Sequence, residues 1–228
     1  MSDVLGQAIY DHHKNIKAAK LWIHNKYGPK EEMPVETFFR NGDELPDLEW
    51  RALNNCRGKV LDIGAGAGSH ALLLQQSGFD VTAIDISSLA VKVMNDRGVL
   101  NAFEQDIFTY NPNSKYDTIL LLMNGIGLAG TLDGLSRLLD YLKSLLNDGG
   151  QILFDSSDVS YIYEDGQPTQ NYYGEIAYQY QYKNLITNWF NWLYVDKDTL
   201  QQYATRAGFK CQILLEDEYG QYLTRLIR

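Results

Sequence analysis

The stretch KVLDIGAGAGSHALLL, residues 59–74, constrains the fold more than any other part of the chain. A short apolar strand runs into Gly64, Gly66 and Gly68, and a helical run from Ser69 to Ser77 follows, ended by Gly78. Glycines on alternate positions let the backbone turn sharply and approach a ligand closely, and the helix behind them offers free N–H groups. The unit then repeats. DVTAID is a second strand, and Ser87 caps a helix with Leu89, Ala90, Val93 and Met94 at helical spacing, closed by Gly98. LNAFEQD and YDTILLLM are further strands. The stripe Leu132, Leu135, Leu138, Leu139, Leu142 and Leu146 marks an amphipathic helix between Thr131 and Asn147, and GGQILFD is a fifth strand. Short apolar strands alternating with helices predict an α/β fold, a doubly wound parallel sheet with helices on both faces.

The flanks read differently. Residues 1–56 read as N-terminal helices with a break: Ile9, Ile16, Leu21 and Ile23 stand among polar residues until Gly28-Pro29, and a second short helix covers 46–56. Beyond residue 156 the segment 160–194 is dense in aromatics. In EIAYQYQYK, Ile176, Tyr178, Tyr180 and Tyr182 alternate, which predicts an antiparallel strand with one aromatic face, and NWFNWLYV pairs with it as a hairpin insertion. DKDTLQQYATRAG is a last helix, and two strands turn near Glu218–Gly220. No linker separates independent parts. The organisation expected is one domain over 1–228: a helical cap 1–56, a core 57–156, the aromatic insertion 157–195, and a last helix and hairpin 196–228.

Acidic residues outnumber basic ones, 29 to 20, for a net charge of −9. That balance argues against nucleic acid as a partner, because such affinity rests on Lys and Arg neutralising phosphates. No run approaches the roughly 20 apolar residues of a membrane span, and the N-terminus lacks the apolar region of a signal peptide. Cys56 and Cys211 lie far apart and match no zinc spacing, and His12-His13 point to different helix faces, so no metal site is expected. The chain reads as a cytoplasmic protein with reduced thiols and no membrane partner, a monomer or homodimer acting on a small-molecule substrate.

In open α/β sheets ligands sit beyond the carboxyl ends of the strands. A dinucleotide loop wants G-x-G-x-x-G; here Ser69 occupies the third place, and the order is Asp62-x-Gly64-x-Gly66-x-Gly68. Asp85, at the end of the second strand, suits a ribose diol. Asp106, at the end of the third, suits the exocyclic amine of an adenine, with Ile86 and Ile107 to either side of the ring. A dinucleotide and an adenosyl sulfonium both carry such a ribose, and these residues alone leave the choice open.

With VLDIGAGAG, VTAIDIS, EQDIF, YDTILLLMNGIG and LLNDGGQILFD in register, the chain resembles the class I S-adenosylmethionine-dependent methyltransferases, well over 58–155 and moderately over 196–228. The resemblance implies a Rossmann-like seven-stranded, mostly parallel sheet with an antiparallel last strand, and methyl transfer from S-adenosyl-L-methionine by in-line displacement. It implies a cofactor cradle of Asp62, Gly64, Ala65, Gly66, Gly68, Asp85, Ile86, Asp106, Ile107, Met123 and Asn124. Asp62 would brace loop amides or meet the ligand's amino group, and Arg40 would bind its carboxylate as a bidentate pair. Amino-directed relatives carry D/N-P-P and an aromatic after the fourth strand; here Asn124 is followed by Gly125-Ile126-Gly127, which argues against adenine or glutamine-amide acceptors. Asn124 and His70 are the candidates for a catalytic contact, and Tyr161, Tyr163, Trp189 or Trp192 for a substrate wall. An NAD-dependent oxidoreductase, the alternative, would need a Tyr-x-x-x-Lys pair, but Tyr141 is followed four residues on by Leu145. A non-catalytic S-adenosylmethionine-binding protein is the third reading.

Overall fold

The computed structural model describes residues 3–17, 19–163 and 171–228. Six helices are named α1 (Val4–His13), α2 (Asp47–Leu53), α3 (Ser69–Gln76), α4 (Ser88–Arg97), α5 (Leu132–Leu145) and α6 (Lys197–Arg206). The strands are β1 (Leu21–Asn25), β2 (Glu31–Met33), β3 (Val60–Ile63), β4 (Val81–Asp85), β5 (Ala102–Glu104), β6 (Tyr116–Leu121), β7 (Leu146–Ser157), β8 (Glu175–Tyr182), β9 (Leu185–Ile186), β10 (Phe190–Leu193), β11 (Lys210–Glu216) and β12 (Gln221–Ile227). The larger sheet has seven strands in the order β11-β12-β7-β6-β3-β4-β5. The pairs β6–β7 and β4–β5 are parallel, whereas β12 runs antiparallel to both β7 and β11 and is the reversed strand. The expected seven-stranded α/β sheet is present.

The N-terminal reading needs correction. Among the described residues of 3–56 the α-helices are α1 and α2, with short 3₁₀ turns at Val35–Phe39 and Gly42–Glu44; α1 ends at His13, and Asn15 takes a left-handed φ of 52°. Leu21–Asn25 is instead a strand, paired antiparallel with β2 and β8 in a second sheet of order β10-β8-β1-β2, with β9 on β8. Leu21 and Ile23 fit a helical period and a strand alternation alike. The pairing Leu21↔Tyr182 through Asn25↔Tyr178 decides between them, and no local signal reports a partner that lies over 150 positions away. The aromatic segment therefore pairs with the N-terminus as well as with itself. Of that stretch, residues 164–170 lie outside the described residues.

By internal contacts the chain divides into two compact units. Unit 1 comprises 1–45, 61–110 and 177–190. Its core joins Val4, Ala8 and Ile9 of α1 to Leu21, Val35, Ala67 of the glycine loop, Val93 and Tyr182. Asp11, buried on α1, accepts hydrogen bonds from the Gln7 amide, the Tyr182 hydroxyl and the Lys183 ammonium. Burial pulls its carboxyl upward, and these three donors together hold it below the ordinary range. Unit 2 comprises 46–60, 111–176 and 191–228. There Leu135, Leu138, Leu139 and Leu142 form the buried stripe of α5, each worth about 1.5–3 kcal/mol on burial. The Thr131 side chain caps that helix by accepting from the Gly134 N–H.

Candidate functional site

One candidate cluster lies at the carboxyl ends of β3 and β4, within unit 1. Gly64, Gly66 and Gly68 all take left-handed φ values, 69°, 56° and 80°. Gly68 is the N-cap of α3, and a Cβ there would meet Val99 at 2.8 Å and Met94 at 2.9 Å. The first two amides of the loop are committed: Gly64 N–H and Ala65 N–H both donate to the Ile84 carbonyl. Gly66 N–H donates to Asp85 Oδ2 at 2.9 Å, and Ser87 N–H donates to Asp85 Oδ1 at 2.9 Å. Each Asp85 oxygen keeps lone-pair capacity beyond its one amide. Burial raises the Asp85 pKa against the two amide bonds, and nearby Asp3 raises it further.

Asp62 lies on β3 with 2% exposure, and its Oδ2 has no hydrogen-bond partner among the described residues. Burial pushes its pKa up to about 6; Asp85 adds to the rise, while His70 and the Ala71 amide oppose it. His70 is buried on α3, electrostatically coupled to Asp62 rather than facing solvent. Ile86 is 72% exposed, whereas Ile107 is buried. The two flanks expected for an adenine therefore differ, one open and one part of the core. Asp106 is exposed and caps a 3₁₀ turn by accepting from the Phe108 N–H. That cap occupies one lone pair of Asp106 Oδ1.

Ser69 and Arg97 complete the loop. Ser69 Oγ donates to the Phe38 carbonyl, and Arg97 donates to the Ala67 carbonyl and to Ser69 Oγ, its guanidinium lying 5.1 Å from the Phe39 ring centre. The residue in the place of a third dinucleotide-loop glycine thus ties the loop to the segment Val35–Phe39. Arg40, just after that segment, donates its Nε–H to the Thr37 carbonyl. Sequence reasoning missed Arg97, which carries no motif.

In unit 2, the loop after β6 holds Met123 and Asn124, both non-glycine residues at φ 57°. Asn124 N–H donates to Asp155 Oδ2 at 2.8 Å, and its side-chain amide reaches the Leu193 carbonyl at 3.5 Å. Asp155, on β7, is 1% exposed, and its Oδ2 also accepts from Gln221 Nε2. Its Oδ1 and the Asn124 Oδ1 are both buried without a partner. Burial pushes the Asp155 pKa to about 6; the Asn124 and Gln221 bonds oppose this, and buried Glu49 reinforces it. Asp155 was not singled out in the sequence, although an acid ending the apolar run GGQILFD was its visible signal. Trp192 packs on the same loop, with its indole Nε1 2.0 Å from where a Gly127 Cβ would stand. Tyr163 donates to the Tyr173 carbonyl, while Tyr161 is 75% exposed and Trp189 45% exposed. Of the four aromatics considered for a substrate wall, Trp192 is the one seated on the Asn124 loop.

Among the described residues no group of three His, Cys, Asp or Glu residues is arranged to hold a metal ion, and no helix is long and apolar enough to cross a membrane.

The sequence matches the family model described as a methyltransferase domain over residues 36–213. The structure is similar to a SAM-dependent methyltransferase from Bacteroides fragilis solved in complex with S-adenosyl-L-homocysteine, with 43% identity, a TM-score of 0.92, and coverage of 98% of this chain and 94% of that one. Malonyl-[acyl-carrier protein] O-methyltransferase 1 of Ilyobacter polytropus is 32% identical over 103 residues, 42% of this chain, and the match spans only 37% of that relative's length. A sugar N-methyltransferase from Streptoalloteichus, 16% identical with a TM-score of 0.61 over 90% of this chain and 96% of that one, shares the fold. With a family model spanning most of its length and the seven-stranded sheet in place, the chain belongs to the methyltransferase domain family and is a class I S-adenosylmethionine-dependent methyltransferase.

Proposed function

We propose that this domain delivers the methyl group to a small-molecule acceptor, with the donor held by the residues of unit 1. The observation that carries the reading is Asp85 at the end of β4, each oxygen bonded to one backbone amide of the loops that flank it. A carboxylate fixed in this way is preorganised to accept from two vicinal hydroxyls, and a buried carboxylate left without them is costly. The unpartnered Oδ2 of Asp62 suits an amino group, exposed Ile86 suits one face of an adenine with Asp106 and Ile107 beside it, and Arg40 suits a carboxylate. Gly64, Ala65, Gly66 and Gly68 form the turn that brings the backbone close, and Met123 and Asn124 stand in the loop after β6. Those features fit S-adenosylmethionine better than a dinucleotide, whose loop carries a third glycine, for close helix–strand packing, where Ser69 stands.

When bound, the sulfonium supplies an activated methyl group, so the protein's work is alignment and exclusion of water rather than proton chemistry on the donor. We read residues 1–228 as one functional domain working in the cytoplasm on a small molecule. Cys56 and Cys211 are half-buried thiols rather than a disulfide, which suits a reducing compartment. Calorimetry tests the reading. S-adenosylhomocysteine should bind, NAD should not, and Asp85→Ala should weaken S-adenosylhomocysteine by about 2–3 kcal/mol, the loss expected for hydrogen bonds to a charged group. Equal or tighter binding of NAD would overturn it.

A further inference from the structure

Besides Asp62 Oδ2, two buried side-chain oxygens lack a donor among the described residues, and both lie in unit 2. Asp155 Oδ2 is satisfied twice over, by Asn124 N–H at 2.8 Å and Gln221 Nε2 at 3.1 Å, while Oδ1 of the same carboxyl is not satisfied at all. The neighbouring Asn124 directs its amide NH₂ at the Leu193 carbonyl and leaves its own Oδ1 without a donor. The Asn124 N–H ties these two residues together near the carboxyl ends of the paired strands β6 and β7, and each brings one oxygen short of a donor. Leaving each unsatisfied costs about 1–3 kcal/mol. Asn124 sustains this while held at φ 57°, beside Met123 at the same angle, and paired left-handed non-glycine residues collect where function over-determines the backbone.

Resting on the methyl-transfer reading above, we infer that Asp155 and Asn124 hold the amino group of the methyl acceptor, and that the acceptor is a primary amine. The donor count makes the choice. A primary amine offers two N–H groups, one for each oxygen; a hydroxyl offers one and leaves an oxygen orphaned; a carboxylate offers none and meets two negative neighbours, Asp155 and Glu49. Geometry follows from the same count. An arriving ammonium has three N–H bonds. Two are held, the third proton is lost to solvent, and the lone pair emerges in its place. That lone pair forms the new N–C bond as the C–S bond breaks, the electron pair of the latter passing to sulfur, and the secondary ammonium formed sheds one proton. Trp192, packed on Gly127, supplies an apolar wall to the same loop.

The experiment compares methyl transfer from labelled S-adenosylmethionine to matched primary amines and alcohols carrying benzyl, cyclohexyl or n-butyl groups. In the wild type, amines should be preferred by about tenfold or more in kcat/KM, a difference of one hydrogen bond. Asp155→Asn keeps the shape but turns one acceptor into a donor; the preference should fall to about twofold or less, with S-adenosylhomocysteine affinity within about threefold of wild type. Asn124→Gly is the second variant, since glycine accepts the left-handed backbone and folding is not at risk; it too should lose the amine preference. An unchanged preference in either variant, a wild type that favours alcohols, or no transfer to any of the amines would overturn the inference and leave the two oxygens to a buried water. Failure of S-adenosylhomocysteine to bind the wild type would instead strike the donor reading, which separates the two failures.

Discussion

The loops after β3 and β6 solve one problem in opposite ways. Both need left-handed backbone beyond a strand end. The first puts glycine at every such position, Gly64, Gly66 and Gly68; the second uses Met123 and Asn124. For an L residue the left-handed region costs about 1–2 kcal/mol, so the glycine loop is relaxed and the other is strained. The glycine loop presents backbone without a strained side chain. The β6 loop keeps side chains at strained positions, which is sensible only if those side chains do something. Asn124, with its buried unpartnered oxygen, is the one whose chemistry is visible.

The largest expected effect breaks the relaxed loop. Gly68→Ala adds a Cβ 2.8 Å from Val99 and 2.9 Å from Met94 at φ 80°. Backbone strain and overpacking together should cost about 2–5 kcal/mol of stability in urea unfolding. Gly98→Ala is the control: φ is also left-handed, 96°, but nothing lies within 4 Å of the new Cβ, so only the backbone cost of about 1–2 kcal/mol should appear. Equal losses in the two variants would show that packing around Gly68 is unimportant.

The contrast also explains what the sequence disclosed. Gly64, Gly66 and Gly68 were legible because only glycine relaxes that backbone, and Asp85 because a strand end fixes its place. The seven-stranded sheet followed from alternation of strand and helix patterns that each form locally. β1 was not legible: Leu21 and Ile23 read as helix, and the partner that makes them a strand, β8, lies far along the chain. Asp155 was hidden for a related reason. An acid at the end of an apolar strand is ordinary; its burial beside Glu49 and its half-empty carboxyl depend on elements distant in sequence.

A middle-sized effect sharpens the comparison through pH. Asp62, on β3 just before the glycine loop, has its pKa raised by burial to about 6, against 3.8 for an ordinary aspartate. The native state therefore holds this proton more tightly than the unfolded chain. The stabilising contribution is complete below pH 3.8 and is lost as pH rises through 6. Asp62→Asn cannot ionise, so its stability minus that of wild type should rise between pH 4 and pH 7 by about 1–3 kcal/mol. Urea unfolding at four pH values gives that difference curve, and a flat curve would mean that the buried carboxyl is not strained by its charge. Asp155 should respond in the same direction, since burial raises its pKa to about 6 as well.

The smallest effect has the opposite sign from the first, which makes it the sharpest test of the contrast. Placing glycine at Asn124 removes a side chain from a left-handed position, relieves the backbone, and deletes a buried oxygen that has no partner. Asparagine tolerates this region better than most residues, so the relief is modest, and glycine's extra freedom in the unfolded chain offsets part of it. The 3.5 Å contact to the Leu193 carbonyl is too long to contribute much. The net result should be a gain of about 0.5–1 kcal/mol in urea unfolding, in a variant that loses its preference for amines. A substitution that stabilises the fold while removing selectivity marks a residue kept for function. If Asn124→Gly instead lowers stability by as much as Gly98→Ala, the strain assigned to the β6 loop is absent, and the two loops differ in sequence but not in design.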